Sequence, residues 1–297
     1  MTTVDEQARP DRDAGPPPAD SAAQPHAGAY AVRLALVSPP RTGSTPVARM
    51  LWQHDCVTHH CHEPFEACYW GGHGARSAWQ NLACPMEVAS GSRVPVSSVP
   101  AGSGLLVKEM TFQLDAGQFR FLAGLATAPV IFVMRDPRLS TASRLRIVRE
   151  LHGDDSFPPF ESGWQSLAEQ VRLCQRHGID YLIVDSADVR ANSAGVASAL
   201  LNALGLTAQP GVDSWSPRPG LQLCSPQVGA LMSEKRANGD PFYRRVLSSD
   251  GVKPADVIDW SAETALIRAA RLTDDVARWT ELYEQLGADP NRLRADQ

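Results

Sequence analysis

A buried strand that leads through a Gly/Ser/Thr-rich turn into a helix is the feature that most constrains this fold. The nearly continuous apolar run at 32–37 is typical of a strand buried on both faces of a parallel sheet. Prolines end the run, and the turn Arg41-Thr42-Gly43-Ser44-Thr45 leads into an apolar helix that reaches Leu51. A helix N-terminus presents unpaired N–H groups and a positive dipole end, so this turn predicts an anion site.

The residues of the turn exclude two common phosphate loops. The Walker A pattern is absent, and so is Gly-x-Gly-x-x-Gly. The run Ser38-Pro-Pro-Arg41-Thr-Gly-Ser44-Thr45 resembles instead the 5′-phosphosulfate loop of sulfotransferases, in which a basic residue, a Gly and several Ser/Thr follow a proline. The alternative is an ordinary strand-to-helix turn without a ligand.

A second strand end carries its own arginine. The apolar run at 129–134 is followed by Arg135, and Ser143 lies on the helix that begins near Pro137. This arrangement resembles the 3′-phosphate site of the same family, which implies that Arg135 and Ser143 bind the 3′-phosphate of the donor nucleotide. A planar guanidinium suits a phosphate. The alternative is that Arg135 pairs with Asp136 or another nearby carboxylate.

The predicted strand at 104–110 places Lys108 and Met110 on one face and Glu109 on the other. In cytosolic sulfotransferases the equivalent strand carries Lys-x-His, and its lysine lies near the transferred sulfuryl group. The resemblance implies this role for Lys108. Met110 occupies the place of the family's basic histidine, so the base must lie elsewhere. The alternative for Lys108 is a surface lysine at a strand end.

Glu63 is the predicted general base. It precedes Pro64, directly after a strand predicted over 56–61, where open α/β sheets place their ligands. The pair resembles the Glu-Pro of bacterial sulfotransferases of the trehalose-sulfating type, in which the glutamate is the general base. The alternatives are that Glu63 caps the next helix, or that His62 or Glu109 is the base.

Histidines and cysteines cluster between residues 54 and 62 and raise the question of a zinc site. Their spacing matches no closed zinc module, and neighbouring side chains on a strand point to opposite faces. We therefore expect no metal. The six cysteines of the chain are scattered and form no disulfide framework in a protein of this length, so we expect them to be reduced.

The remaining pattern predicts one α/β domain. Helices are expected from Asp115 to about Ala126, over 162–177, up to about 204 and over 262–286, with a further strand over 181–185. Strands that alternate with helices predict a three-layer fold, with a parallel sheet of about five strands and helices on both faces. The resemblance implies the P-loop-like sulfotransferase fold.

The domain boundaries follow from composition. Residues 1–29 contain few large apolar side chains and are predicted to be a disordered leader, which leaves 30–297 as a single sulfotransferase domain. Segments 66–103 and 207–260 are rich in loops and are expected to cover the substrate. Arg236 with Gly239 loosely matches the Arg-Lys-Gly loop that closes the donor site in many sulfotransferases; the alternative is a solvated turn.

The charge and hydropathy of the chain limit its partners. A net charge of −5 argues against a protein that coats nucleic acid. The chain has no apolar run long enough to cross a bilayer and no hydrophobic signal core, so we expect a cytoplasmic protein without a membrane partner. The sequence leaves open a homodimer or a partner protein.

Together the motifs imply a sulfotransferase that moves a sulfuryl group from 3′-phosphoadenosine 5′-phosphosulfate (PAPS) to a hydroxyl or amine of a small-molecule acceptor and releases PAP. Arg41 and Lys108 would stabilise charge on the transferred group. Thr42, Gly43, Ser44 and Thr45 would hold the 5′-phosphate together with Arg41. Three alternatives stay open: sulfation that creates a leaving group for cyclisation or elimination, a catalytically silent sulfotransferase-like binding protein, and a P-loop kinase.

Overall fold

The computed structural model describes residues 28–66, 69, 78, 81–217, 220–221, 235–236 and 241–294. Within these residues the central sheet has six strands: β1 (Tyr30–Ser38), β2 (His59–His62), β3 (Met86–Glu87), β4 (Ser103–Met110), β5 (Val130–Met134) and β6 (Tyr181–Asp185). The described α-helices are α1 (Ser44–Trp52), α2 (Ala116–Leu125), α3 (Pro137–His152), α4 (Trp164–His177), α5 (Ser186–Ala191), α6 (Ser193–Ala203), α7 (Arg244–Leu247), α8 (Trp260–Ala269) and α9 (Thr273–Gly287).

The strand order is β3-β2-β4-β1-β5-β6. Strands β2, β4, β1, β5 and β6 pair in parallel, and the two-residue strand β3 pairs antiparallel to β2 at the edge. The predicted parallel sheet of about five strands is therefore confirmed. The short edge strand β3 was not predicted. Because the strands are parallel, their carboxyl ends lie along one edge of the sheet.

Helices cover both faces of the sheet, which confirms the three-layer architecture. Along β1, Leu34 and Leu36 belong to an apolar cluster with α1 and α6, whereas Ala35 and Val37 belong to a second cluster with α2 and α4. This alternation follows from the period of two along a strand. Because both faces of β1 are buried, its sequence is a nearly continuous apolar run.

The second strand is displaced from its predicted position at 56–61. It begins at His59 and ends at His62. The N–H of Val57 donates to the carbonyl of His54 (2.8 Å), and this turn occupies the residues in which the strand was expected to start. As a consequence Glu63 follows the strand directly, and its N–H donates to the carbonyl of Lys108 (2.6 Å).

The prediction of a single helix over 262–286 is wrong. Two helices, α8 and α9, occupy this stretch, and the chain bends between them at Arg271, whose φ is 59°. Leu272 is buried at the bend and its N–H donates to the carbonyl of Ile267 (3.1 Å). The sequence carried a signal for this break, because Asp274 and the residue after it are acidic and favour the first turn of a new helix.

Helix α2 matches its prediction, with Asp115 as the N-cap residue in a capping box with Gln118. Helix α4 begins at Trp164 and not at Ser162, because Pro159–Ser162 form a 3₁₀ turn that ends at Gly163.

The predicted leader falls almost entirely outside the described residues, as do Gly239 and parts of both loop-rich segments. Arg236 lies in a short strand (Lys235–Arg236) that pairs with Gly220–Leu221. In the described part of the chain, no helix combines the length and the apolar composition that crossing a membrane requires.

Candidate active site

A cavity of about 340 Å³ opens at the carboxyl ends of the parallel strands. Its wall is built from residues that follow β1, β2, β4 and β5, from helices α3 and α5, and from the stretch 242–253. The lining residues that carry charge are Arg41, Glu63, Glu66, Arg135, Arg144, Arg190, Arg245 and Lys253. The cavity therefore has the position that ligand sites take in open parallel sheets.

The turn after β1 forms one wall of the cavity. Arg41, Gly43, Ser44 and Thr45 line it. Gly43 adopts φ 86° and is the N-cap residue of α1, so the N-terminus of this helix begins at the cavity. Thr42 is fully buried and its hydroxyl donates to the carbonyl of Pro39 (2.9 Å), which holds the turn closed.

The two predicted arginines meet at this wall. Arg135 follows β5, which is the neighbour of β1, and its Nη1 donates to the carbonyl of Arg41 (3.3 Å). Arg41 donates from Nε to the hydroxyl of Ser143 (3.2 Å) and from Nη1 to the carbonyl of Phe242 (2.8 Å). Arg41, Arg135 and Ser143 therefore lie close together, although Ser143 contacts Arg41 and does not line the cavity.

The alternative pairing of Arg135 with Asp136 is not observed. The Asp136 carboxylate instead accepts from the Arg138 guanidinium (2.5–3.1 Å) and caps helix α3.

Further cations that the sequence analysis did not assign to the site converge on the same cavity. Arg190 comes from α5, Arg245 from α7, and Lys253 from the stretch that follows. Burial lowers the pKa of Arg135 to about 10, and the nearby Arg190, Arg41 and Arg245 act in the same direction. Like charges held this close disfavour one another, and an anion bound between them relieves the repulsion.

The sequence carried only weak signals for these cations. Arg190 lies in the short helix after β6, another strand that ends at the cavity. Arg245 belongs to a basic stretch, but nothing in that stretch distinguishes it from its neighbour Arg244. In the structure Arg244 is exposed and pairs with Glu150 (3.0 Å), and it does not line the cavity.

Glu63 lies at the centre of a buried polar cluster. Lys108 Nζ donates to its Oε1, the hydroxyl of Tyr243 donates to the same oxygen (2.9 Å), and His62 Nε2 lies 3.2 Å from it. Burial alone would raise the pKa of Glu63, but Lys108 and His62 lower it below the ordinary range. Glu63 adopts φ 53°, a backbone conformation that is rare outside glycine and that concentrates at functional sites.

The alternatives for Lys108 and for the base can be examined in this geometry. Lys108 is fully buried and is therefore not a surface lysine; it does not line the cavity itself but contacts Glu63, which does. Glu109 is also buried and does not line the cavity; its carboxylate accepts from the N–H groups of Phe65 (2.8 Å) and Met110 (2.7 Å). Burial and the neighbouring Glu63 raise the pKa of Glu109 well above its usual range. His62 does not line the cavity either, which leaves Glu63 as the candidate base that does.

The cavity wall also carries large apolar side chains. Met110 ends β4, Phe112 follows it, and Phe242 lies beside Arg41. Arg144 also lines the cavity; its buried guanidinium lies 5.4 Å from the centroid of the Phe112 ring and pairs with Glu161. These apolar and aromatic side chains suit an acceptor with an apolar or aromatic body, whereas the arginines suit an anion.

The histidine and cysteine cluster does not converge. His54 Nδ1 lies 2.9 Å from Cys56 Sγ, and its other ring nitrogen lies 2.9 Å from the carbonyl of Thr207. Within the described ranges, no group of three or more His, Cys, Asp or Glu has an arrangement that could hold a metal ion.

Comparisons with known proteins give similarities to sulfotransferase structures. No family model matches the chain, and no curated protein matches it. The chain is similar to the sulfotransferase domain of the Synechococcus PCC 7002 olefin synthase, with 15% identity, 85% of this chain and 94% of that chain covered, and a TM-score of 0.46. It is also similar to the mouse sulfotransferase SULT7A1 complexed with PAP, with 11% identity, 86% and 89% covered, and a TM-score of 0.43.

Proposed function

We propose that this protein is a sulfotransferase that takes a sulfuryl group from PAPS and transfers it to a hydroxyl or amine of a small-molecule acceptor. The observation that carries the proposal is the shared cavity of Arg41 and Arg135. These arginines follow two neighbouring parallel strands, lie in contact through the carbonyl of Arg41, and line one cavity. A nucleotide with phosphate groups at both its 5′ and 3′ positions presents anions that suit such a cluster.

The 5′-phosphate has a binding place at the start of α1. Gly43, Ser44 and Thr45 would supply backbone N–H groups, hydroxyls and the positive end of the helix dipole. Two buried hydroxyls near this turn support a polar ligand: Ser38 Oγ and Ser186 Oγ have no hydrogen-bond partner among the described residues. Gly43 and Ser186 are neighbours, since a Cβ on Gly43 would lie 3.9 Å from Ser186 Oγ.

The 3′-phosphate would be held by the second group of cations. Arg135 was predicted for this role together with Ser143, and the geometry adds Arg190 and Arg245 as candidates. Several guanidinium groups around one dianion offer more donors than one arginine and one serine.

The reaction would be an in-line displacement at sulfur. The acceptor oxygen or nitrogen forms a bond to sulfur, while the bond between sulfur and the bridging oxygen of the 5′-phosphate breaks. The bond electrons stay with the phosphate, and PAP leaves. Glu63 takes the acceptor proton, while Arg41 and Lys108 stabilise the charge that grows on the bridging oxygen and the sulfuryl oxygens.

Calorimetric titration with PAP tests the donor site. Wild-type protein should bind PAP, and Arg135→Ala should weaken binding by about 1.5–3 kcal/mol because one charged hydrogen-bond partner is lost. Arg138→Ala is the matched control, since Arg138 follows the same strand but pairs with Asp136 outside the cavity. Equal PAP affinity in wild type and Arg135→Ala would contradict the role of Arg135, and a wild type that does not bind PAP would contradict the donor.

Mass spectrometry after incubation with PAPS and a panel of hydroxyl and amine acceptors tests the transfer. An acceptor that gains one SO₃ group indicates sulfation. A product that has lost water indicates that the sulfate served as a leaving group for elimination or cyclisation. PAP binding without consumption of PAPS indicates a catalytically silent protein.

A further inference from the structure

Tyr243 contacts the candidate base from a distant part of the chain. It is buried, lines the cavity, and donates its hydroxyl to Glu63 Oε1 at 2.9 Å. The same hydroxyl lies 3.5 Å from His62 Nε2, and the two rings meet edge to face with centroids 5.7 Å apart. No motif in the sequence pointed to this tyrosine.

The backbone next to Tyr243 is tied to the turn after β1. The carbonyl of Phe242 accepts from Arg41 Nη1 (2.8 Å), and the Arg41 guanidinium lies 5.9 Å from the centroid of the Phe242 ring. Two consecutive residues therefore contact the phosphate-binding turn and the candidate base. Packing and main-chain contacts fix where the Tyr243 hydroxyl lies, so it needs no rearrangement to meet Glu63.

The contacts of Glu63 distinguish its two carboxylate oxygens. Within the described residues, Lys108, Tyr243 and His62 contact the Glu63 side chain through hydrogen bonds or ion pairs. All three contacts are made to Oε1. An oxygen surrounded by donors is a poor proton acceptor, because each donor stabilises its negative charge. Oε2 is the oxygen suited to accept a proton from an acceptor in the cavity.

Lys108 and Tyr243 have different roles in the proposed reaction. In the proposed function Lys108 stabilises charge on the donor in addition to its contact with Glu63 Oε1. Tyr243 has no such second task. While the charge of Lys108 is shared with the sulfuryl group, the tyrosine hydroxyl holds the carboxylate in orientation, since a carboxylate that can rotate loses the alignment that proton transfer needs.

We propose that Tyr243 is the positioning residue of Glu63: its hydroxyl holds Oε1 so that Oε2 takes the acceptor proton. This inference rests on the proposed function. The proton passes from the acceptor O–H to Glu63 Oε2, the acceptor oxygen bonds to sulfur, and the sulfur–oxygen bond to the 5′-phosphate breaks as PAP leaves with the electron pair. Tyr243 exchanges no proton in this step.

The test is a double-mutant cycle on single-turnover PAP formation with enzyme in excess over PAPS, and with phenol as the probe acceptor, because its hydroxyl is still protonated at neutral pH. Tyr243→Phe keeps the ring and removes the hydroxyl, and it should slow the reaction by about tenfold, as for the loss of one hydrogen bond. Glu63→Gln should slow it by about 10²–10⁴-fold. The double variant should be no slower than Glu63→Gln, because the tyrosine acts only through the carboxylate.

Two further measurements separate positioning from a structural role. PAP affinity and the KM for PAPS should be unchanged in Tyr243→Phe. Tyr181→Phe, which removes a hydroxyl bonded to the Asp289 carboxylate (2.9 Å) outside the cavity, should react at the wild-type rate.

Three outcomes would overturn this inference without affecting the proposed function. They are a wild-type rate in Tyr243→Phe, a slowing by Tyr243→Phe that is as large in the Glu63→Gln background as in wild type, and a loss of PAP affinity in Tyr243→Phe. A wild type that neither binds PAP nor consumes PAPS contradicts the proposed function itself. If PAP binds but phenol is not an acceptor, crystal structures of the PAP complexes of wild type and Tyr243→Phe provide the test. The carboxylate of Glu63 should be displaced in Tyr243→Phe, and an unmoved carboxylate overturns the inference.

Discussion

At the scale of single residues, two neighbouring buried carboxyl groups have pKa values shifted in opposite directions. Glu63 faces Lys108 and the cavity, and its pKa is lowered. Glu109 lies beside Lys108 in sequence but points to the other face, and its pKa is raised by burial and by Glu63. Environments that separate the pKa values of neighbouring carboxyl groups are typical of sites that move protons.

The ion pair between Lys108 and Glu63 makes stability depend on pH in a predictable direction. Because the pKa of Glu63 is below its ordinary value of 4.5, its contribution is complete above that pH and is lost as the pH falls. In Lys108→Met the buried carboxylate loses its cation, which should cost about 3–5 kcal/mol of unfolding free energy at pH 7.5. Burial then raises the pKa of Glu63, so the deficit should shrink at pH 5.5 as the carboxyl group binds a proton.

Urea denaturation of wild type and Lys108→Met at both pH values measures this deficit. The double variant Lys108→Met/Glu63→Gln removes both charges and serves as the control. It should be more stable than Lys108→Met alone, because no unpaired charge is left buried. A deficit that is the same at both pH values, or a double variant no more stable than the single one, would show that the charge of Glu63 does not cause the loss.

At the scale of elements, the turn before α4 supports the phosphate-binding turn from behind. Gly163 adopts φ 76° at the start of α4, and its carbonyl accepts from the hydroxyl of Thr111 (2.8 Å). A Cβ on Gly163 would overlap Thr111 Oγ1 and would lie 3.1 Å from both Pro39 Cα and Pro40 Cδ. The glycine thus lets α4 begin directly against the prolines that precede Arg41.

Gly163→Ala should therefore destabilise the protein and also disturb the anion site. Left-handed backbone alone costs about 1–2 kcal/mol for a residue with a Cβ. Gly178→Ala isolates this backbone cost, because Gly178 at the other end of α4 adopts φ 63° and an added Cβ there would meet no atom within 4 Å. Thermal or urea unfolding should show a larger loss for Gly163→Ala than for Gly178→Ala.

PAP titration of the same two variants separates their effects on the site. Only Gly163→Ala should bind PAP more weakly, since only its Cβ would push against the turn that carries Arg41. Equal stability losses in the two variants would mean that the neighbouring prolines shift to accommodate the Cβ at position 163 without a loss of unfolding free energy.

At the scale of the whole molecule, an acidic protein holds a basic cavity. The net charge is −5, yet the cavity wall carries six Lys or Arg residues from turns and helices far apart in sequence, namely Arg41, Arg135, Arg144, Arg190, Arg245 and Lys253. Arg49 connects helix α1 to the stretch of chain that carries Arg245. It is buried on α1, donates to the carbonyls of Val246 and Ser216, and lies 4.5 Å from the centroid of the Trp215 ring.

The neighbours Arg245 and Arg244 offer a matched test of this local field. Arg245→Ala should weaken PAP binding by about five- to tenfold, because it removes a cation from the cavity wall, although its pairing with Asp256 (2.7 Å) and its exposure moderate the loss. Arg244→Ala makes the same change in net charge outside the cavity, so it should leave affinity nearly unchanged. Calorimetry at two salt concentrations should show a weaker salt dependence for Arg245→Ala only. Equal effects of the two variants would mean that overall charge, and not the cavity, governs binding.

The sequence by itself determined the local elements whose signals are contiguous. The apolar runs of β1 and β5, the turn with Arg41, the alternation that separates Lys108 from Glu109, and the parallel architecture all follow from short-range patterns. The break between α8 and α9 was also encoded locally, by the acidic residues after Leu272, but the amphipathic pattern that continues across it concealed the signal.

Only the tertiary structure decided which distant side chains meet. Tyr243 reaches Glu63 across 180 residues of sequence, and Arg190 and Arg245 join Arg135 from separate helices. No periodicity encodes such contacts, because they depend on how helices and loops pack over the sheet edge. The strand ends fixed the place of the site, and the packing of the chain around that edge decided its remaining charges and the partners of its base.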